Sequence, residues 1–278
     1  MDNYFVSSCK RVKDWICRQF GQKEKKTVHH KKFADGGEVI VWETGRAGEE
    51  AASYENLFLR KEIAGFRTNI RREQSCSIKS LTRDYLYKQL LSSGEYTFDH
   101  MLVIKDPYGE APLTALALFI LEEPACVRVT TKGNLKETDF VTELPKKKEH
   151  RVPILGMYAE KANDIVIEIL DDEGNCVKSH TFTIRTKRLP KSLRNVITVK
   201  KWTDKPAYSN IMINGGVKIH TCVFDIEGEI RYYLSRKPRG YGIFPLSDGH
   251  FFYMEKYISV PSYSNPQTVE SYDMDYFG

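Results

Sequence analysis

The stretch that decides the fold reads DIVIEILDDEGNCVKSHTFTIRT and spans residues 164–186. Its first half is rich in isoleucine and valine in an imperfectly alternating pattern, and the apolar residues Val177, Phe182 and Ile184 follow in the second half. The turn-forming residues 171–175 separate the two halves. This pattern predicts two antiparallel strands that are joined by a hairpin turn.

Short strand-like segments of the same kind recur on the N-terminal side of this hairpin. Six of them within fewer than 90 residues, mostly joined by short turns, predict a small antiparallel β-sandwich of the Ig-like type. The predicted strands are Leu102–Ile104, Leu113–Leu121, Ala125–Thr131, His150–Ile154, Asp164–Asp171 and Cys176–Thr186.

A further series of strands is predicted after Asn195, separated by acidic, glycine-containing turns at residues 225–229 and 246–250. This arrangement is typical of β-propeller blades, which repeat about every 40 to 50 residues. The 84 residues from Asn195 to Gly278 therefore predict an incomplete propeller of one to two blades. Such a propeller leaves strand edges unpaired, so either the chain is a fragment of a longer product or this region docks elsewhere.

The N-terminal part of the chain has a different character. Residues 10–32 hold nine lysines and arginines against two acidic residues, a local excess of +7 that exceeds the net charge of +5 for the whole chain. We predict a partly disordered basic segment over residues 1–52, with a short amphipathic helix at Val12–Phe20 and a strand at Glu38–Thr44. Residues 53–94 predict helices that serve as packing elements and carry no polar constellation.

The chain as a whole is therefore predicted to be mainly β. The predicted divisions are a basic segment at 1–52, a helical segment at 53–94, a β-sandwich at 95–190 and the first propeller blades at 195–278.

Composition restricts the class of protein. A hydrophobic share of 41% and a charged share of 28% are ordinary for a soluble globular protein. There is no apolar run of about 18 residues and no signal-peptide core, which favours a cytoplasmic location. The six cysteines are scattered, as is typical of free thiols in a reducing compartment, although a Cys126–Cys176 bridge between neighbouring strands stays open.

Four motifs, found in order, resemble the N-terminal domain of bacterial aryl-sulfate sulfotransferases. DPYGEAPLTAL at residues 106–116 is similar to the family signature NPYG-x-APLTAL, and VRVTTKG at 127–133 resembles its first long strand and turn. EHRVPILGMY at 149–158 resembles EH-x-IPV-x-GLY, and residues 164–190 resemble the final hairpin. Residues 224–234 and 244–253 are similar to the first propeller blade.

The resemblance implies a six-bladed propeller enzyme that moves a sulfuryl group from a phenyl sulfate donor to a phenol acceptor. In this family the group passes through a histidine, and neither a nucleotide sulfate donor nor another cofactor is needed. The resemblance places that histidine beyond Gly278, so this chain alone is expected to be inactive. Members of the family can be periplasmic, and a homodimer is compatible with the sandwich.

Few residues are candidates for a site. Asp106, Pro107, Tyr108, Gly109 and Pro112 form the structural signature, because proline fixes φ and glycine permits a positive φ in a tight turn. His220 is a weak catalytic candidate, since it precedes a strand and can face a propeller axis. Arg239 and Tyr241, in a basic loop with Arg236 and Lys237, are weak candidates for binding an anionic sulfate.

The other histidines are expected to be structural or solvated. His150 and His180 are predicted to point outward from sandwich strands, His250 to lie at the surface, and His29 and His30 to be solvated. No metal-binding spacing and no phosphate-binding glycine loop occurs in the sequence.

Two further classes of function stay open beside the enzyme. A non-catalytic sandwich used for binding or oligomerisation predicts a stable oligomer that is indifferent to aryl sulfates. Nucleic-acid binding is not expected, and it would appear as steeply salt-dependent binding that is lost on deletion of residues 1–33.

Overall fold

The computed structural model describes residues 28–33, 36–54, 72–202, 210–213, 220–235, 242–245, 250–256 and 268–277. This part of the chain is mainly β, as predicted, with two α-helices near its start. The elements are β1 (Val28–Lys32), β2 (Glu38–Trp42), α1 (Thr44–Ala52), α2 (Arg72–Ser92), β3 (His100–Lys105), β4 (Ala115–Thr131), β5 (Phe140–Ile154), β6 (Ala162–Leu170), β7 (Cys176–Arg185), β8 (Asn210–Ile213), β9 (Cys222–Asp225), β10 (Ile230–Tyr233), β11 (Gly242–Pro245), β12 (Phe251–Lys256) and β13 (Thr268–Met274).

The first seven strands form one sheet in the order β1-β2-β3-β4-β6-β7, with β5 beside β4. The long strand β4 pairs with β5 along most of its length, whereas β3 pairs with its first part and β6 with its second part. The β4–β5 ladder is irregular between Ile120 and Val127, where Pro124 and Pro145 provide no N–H group for pairing. The two parts of the sheet therefore separate at this irregularity and face each other as the two layers of a sandwich.

The sandwich is nearly closed along its other side. The ammonium group of Lys31 on β1 donates a hydrogen bond to the carbonyl oxygen of Thr183 on β7. The interior is filled by one apolar cluster to which both layers contribute, including Val103 and Ala117 from one layer and Val129 and Ile167 from the other. Ile165, Ile167, Phe182 and Ile184 of the decisive hairpin thus face the interior, as their spacing predicted, whereas Val177 is 68% exposed.

Helices α1 and α2 cover the outer face of the first layer. In β3, Met101 and Val103 point into the interior, whereas Leu102 and Ile104 belong to a second apolar cluster under the helices. This burial on both faces explains the continuous apolar run of β3. The helices also connect β2 to β3, which are parallel neighbours and so require a long crossover connection.

After the sandwich, the described segments form two antiparallel sheets of three strands, ordered β8-β9-β10 and β11-β12-β13. Propeller blades have four strands, so these sheets agree only loosely with the predicted blades. No helix in the described part of the chain has the length and apolar character needed to cross a bilayer.

Several predicted elements have different limits in the structure. The predicted strands Leu113–Leu121 and Ala125–Thr131 are parts of one strand, β4, and the predicted strand His150–Ile154 is the end of the longer β5. The strand predicted at Glu38–Thr44 is β2, and its unpredicted partners are β1 and β3. The helix predicted at Val12–Phe20 lies outside the described residues.

The predicted domain divisions stay predictions. Residues 28–52 contain two strands and a helix, and a sheet shared with residues 100–105 joins them to the sandwich across the division at residue 52.

Candidate functional site

The turn of the signature motif is a tight corner between β3 and β4. Asp106 has a φ of +44° and Gly109 a φ of +83°, both in the left-handed region that only glycine and a few polar residues tolerate well. The Gly109 N–H donates to the Asp106 carbonyl oxygen at 3.0 Å, and the Asp106 N–H donates to the Thr114 carbonyl oxygen at 2.9 Å. The Asp106 carboxylate also accepts the Ala111 N–H at 3.0 Å. The corner is thus held by its own backbone.

Helix α2 binds the outside of this corner. The carbonyl oxygen of Pro107 accepts hydrogen bonds from Arg83 Nη1, at 2.8 Å, and from the Tyr87 hydroxyl group. The hydroxyl group of Tyr108 donates to Asp84 Oδ1. The prediction that the helical segment carries no polar constellation is therefore wrong. The close spacing of Arg83, Asp84 and Tyr87 along one helix was the signal in the sequence.

The second signature motif joins the same group through Arg151 on β5. Arg151 Nη2 donates to Asp84 Oδ1 and to the Tyr108 hydroxyl oxygen, both at 2.9 Å. We call the set of Arg83, Asp84, Tyr87, residues 106–109 and Arg151 the signature cluster. Its members come from α2, the β3–β4 corner and β5, so both signature motifs meet in one hydrogen-bonded group.

Burial raises the pKa values of three groups in the signature cluster. Desolvation raises the pKa of Asp106 to about 6, although the N–H of Ala111 and the nearby Arg83 act in the opposite direction. Desolvation also raises the pKa of the Tyr87 and Tyr108 hydroxyl groups, so both stay neutral and keep their donor hydrogen. The cluster is suited to fixing the corner, and none of these groups is an activated nucleophile.

The corner also contacts residues that follow the sandwich. The Ser235 N–H donates to the Glu110 carbonyl oxygen at 2.8 Å, and the Phe277 ring lies 5.8 Å from the Tyr108 ring. Ala111 packs in a small apolar cluster with Tyr232, Leu234 and Phe251. Pro112, the last signature residue, is half-buried at the start of the segment that leads into β4.

A second polar group, the Arg231 network, joins β10 to the sandwich. The Arg231 side chain is 1% exposed and its Nη1 lies 3.1 Å from Oδ2 of Asp225, which is fully buried. Its Nε donates to the Gly156 carbonyl oxygen at 2.6 Å, and Nη1 donates to the Thr138 carbonyl oxygen at 2.8 Å. The Tyr158 hydroxyl group donates to Asp225 and accepts from Arg231, both at 3.0 Å. Sequence analysis missed this network, because its members lie far apart in the chain.

Two histidines that were predicted to point outward are buried. The ring of His150 stacks on Phe119 at 5.3 Å, and its Nε2 lies 2.8 Å from the Lys147 carbonyl oxygen in the irregular part of the β4–β5 ladder. Burial lowers the pKa of His150, so it is neutral near pH 7. The outward prediction failed because His150 alternates with Val152 and Ile154 along β5 and so lies on their buried face.

His180 is held between two aromatic rings. Phe33 stacks on it at a centroid distance of 3.9 Å and Phe98 at 4.6 Å, while Nε2 lies 2.8 Å from Asp99 Oδ1. These neighbours come from distant parts of the sequence and close the sandwich near β7. His180 alternates with Phe182 and Ile184 along β7, so the strand pattern places it on their buried face, and the outward prediction disregarded this pattern.

His220, the weak catalytic candidate, lies next to β9 and is 8% exposed. Its Nδ1 is 2.8 Å from the Leu234 carbonyl oxygen, and its ring meets Tyr233 edge-on at 6.3 Å. Arg239 and Tyr241, the candidates for binding a sulfate, lie outside the described residues. His29 and His30 are exposed on β1, and His250 is exposed as predicted.

The structure also settles one cysteine pairing. Cys126 and Cys176 both lie opposite Leu170, on its two different sides, so two inter-strand spacings of about 4.8 Å separate them. This distance exceeds what a disulfide spans. Both are free, as is Cys222, whose pKa burial raises to about 11. Among the described side chains, no group of His, Cys, Asp and Glu is arranged to hold a metal ion.

Comparison with known proteins identifies the sandwich. A family model described as the arylsulfotransferase Ig-like domain matches residues 102–187. No curated protein matches the chain. The matched residues run from β3 through β7, so they contain the signature corner and the Arg151 contact. Residues 102–187 of this chain are therefore similar to the Ig-like domain of the arylsulfotransferases.

Proposed function

We propose that the chain serves sulfuryl transfer from a phenyl sulfate to a phenol, with a histidine as the intermediate carrier and without a nucleotide donor or other cofactor. Its own part in this reaction is that of a scaffold. The observation that carries the proposal is the family match at residues 102–187. The signature corner and the Arg231 network attach this region to the β-sheets that follow it. These contacts support a domain that orients a neighbouring catalytic part.

The geometry of five of the seven histidines in this chain disfavours them as the carrier. A carrier needs a neutral ring nitrogen that the sulfur atom can approach, with donors nearby for the transferring oxygens. His150, His180 and His220 are buried and bound to backbone or carboxylate oxygens. His30 and His100 pair with the carboxylate of Glu38 on the outer surface of the sheet.

A sulfuryl-transfer assay tests this proposal. The purified chain is mixed with 4-nitrophenyl sulfate and a phenol, and both nitrophenolate release and the intact mass of the protein are measured. We expect no release above the buffer rate and no mass increase by one sulfuryl group. Turnover that is lost in His220→Ala but kept in His250→Ala, the exposed control, would assign the carrier role to His220 and overturn the scaffold proposal.

A second candidate function, assembly of copies through the sandwich, has a specific observation in its favour. In the described part of the chain β5 pairs only with β4, which leaves its other edge open. Pro145 and the three lysines that follow it protect one half of this edge from pairing. The other half carries Val141, which is 52% exposed. A homodimer through this half would show as a doubled mass in light scattering that Val141→Lys reduces to that of a monomer.

We propose a cytoplasmic location. It is supported by the scattered positions of the six cysteines, which lack the spacing of a disulfide framework. Thiol counting on protein taken directly from cells tests this proposal, since six reactive thiols after denaturation are expected. Fewer would indicate an oxidising compartment.

A further inference from the structure

A small cleft lies between the C-terminal end of α2 and the irregular part of β5. Its volume is about 170 Å³. Leu91, Leu144 and Pro145 give it apolar walls, and Lys147, Glu149 and Arg151 give it charged ones. The cleft exists because the β4–β5 ladder is interrupted here, so that β5 departs from regular pairing beside the helix end.

The size of the cleft matches one aromatic ring. An apolar cavity of about 150 Å³ is enough to bind benzene, so the observed volume accepts a single six-membered ring with a small substituent. Two of the walls are aliphatic side chains from α2 and β5, and the third is a proline ring. These walls favour a flat apolar ligand over a sugar or another polyhydroxylated compound.

The charges of the cleft favour an anion. Two cations face one carboxylate, and Lys147 has no ion-pair partner among the described residues. Arg151 makes its contacts with Asp84 and Tyr108 through Nη2, which leaves donors of the same guanidinium for another acceptor.

We propose that this cleft binds a small aromatic anion, with its ring against Leu91, Leu144 and Pro145 and its anionic group at Lys147 and Arg151. Phenyl sulfate is the occupant that we name, and this choice rests on the proposed function. The preference for an aromatic anion rests only on the volume and charge of the cleft. The cleft would hold the substrate on the sandwich.

Binding to the full chain tests the proposal. Phenyl sulfate is titrated into the protein by calorimetry, and the chemical shifts of labelled protein locate the site. We expect saturable binding with shifts at Leu144 and His150. Lys147→Glu should weaken the affinity about fivefold, the effect of an exposed ion pair. Phenol and inorganic sulfate, each lacking half of the ligand, should bind more weakly than phenyl sulfate.

Lys148→Glu is the matched control, because it changes the net charge equally and Lys148 does not line the cleft. Equal loss of affinity in both variants, or no saturable binding, would overturn the proposal. Benzenesulfonate separates this result from the proposed function, since it is an aromatic anion without a transferable sulfuryl group. It should bind with the same dependence on Lys147, even if no form of the protein transfers sulfuryl groups.

Discussion

The Arg231 network and the signature cluster both pair a guanidinium group with a carboxylate, but they differ in burial. The side chains of Arg231 and Asp225 are 1% and 0% exposed, whereas those of Arg151 and Asp84 are 41% and 49% exposed. The Arg231–Asp225 pair lies within the β9–β10 hairpin, and Arg231 also binds Gly156, Thr138 and Tyr158 of the Ig-like domain. The Arg151–Asp84 pair joins that domain to α2. The comparison shows that similar contacts carry very different energetic weight, because water competes for the exposed pair and not for the buried one.

The difference follows from what each pair would leave behind when broken. Loss of one partner of an exposed pair leaves a charge that water solvates at once. Loss of Arg231 leaves the Asp225 carboxylate inside the protein, with Tyr158 and the N–H groups of residues 227 and 229 as its remaining donors. Removal of one partner of a buried ion pair is therefore strongly destabilising, even where the intact pair adds little net stability.

The largest effect is expected for Arg231→Ala. It should lower the free energy of unfolding by about 4 kcal/mol, because the buried Asp225 charge loses its partner. Chemical denaturation of the full chain measures this value. Arg128→Ala, which breaks an exposed contact with Glu143, is the matched control and should cost at most about 1 kcal/mol.

A double variant separates the lost charge from lost packing. Arg231→Met combined with Asp225→Asn keeps the volume of both side chains and removes both charges, and it should recover most of the stability. If the double variant is as unstable as Arg231→Ala, the network stabilises the protein through its hydrogen bonds, and burial of charge is not the reason for its weight.

The sequence predicted the β-rich sandwich because alternation along a strand is a local property. Alternation within residues 164–186 places Ile165, Ile167, Phe182 and Ile184 toward the interior, whatever lies beside them. The surroundings of His180 are not local, since Phe33 and Phe98 reach it from other strands and loops. The same holds for Arg231, whose acceptor at Thr138 lies 93 positions away in the chain.

The signature motif illustrates a partial success of the same reasoning. Its proline and glycine predicted a tight corner, because the residues of a turn largely determine its backbone conformation. Its attachment to Arg83, Asp84 and Tyr87 was missed, since their shared helix face has meaning only once α2 is packed against the corner. The cleft beside β5 was missed for a related reason, because a gap between elements has no sequence pattern.

The second prediction concerns pH and the buried Asp106 in the signature cluster. Burial raises the pKa of Asp106 from 3.8 to about 6 in the folded state. The stability that its protonated form contributes is complete below the unfolded pKa and is lost as the pH rises through about 6. The difference between the folded and unfolded pKa values corresponds to a change of about 3 kcal/mol in the free energy of unfolding.

Asp106→Asn should remove this dependence while keeping an oxygen that accepts the Ala111 N–H. Denaturation curves collected between about pH 4 and pH 8 should therefore show a smaller decline in stability for the variant than for the unaltered chain. Asp172→Asn, at a position whose side chain is 77% exposed, is the control and should retain the decline. If the free energy of unfolding declined equally with pH in Asp106→Asn and in the unaltered chain, this result would contradict a buried carboxylate in the corner.

The smallest effects are expected from a Tyr→Phe substitution, made once in the Arg231 network and once in the signature cluster. Tyr158→Phe removes a hydroxyl group that donates to Asp225 and accepts from Arg231 and from the N–H of Asn134, so it should cost about 2 kcal/mol. Tyr108→Phe removes a hydroxyl group between Asp84 and Arg151, and because water can reach both of these it should cost about 1 kcal/mol. Both values are measured by denaturation of the full chain. Equal costs would mean that water does not compete at the signature cluster, and the contrast between the two regions would then arise from their geometry and not from their burial.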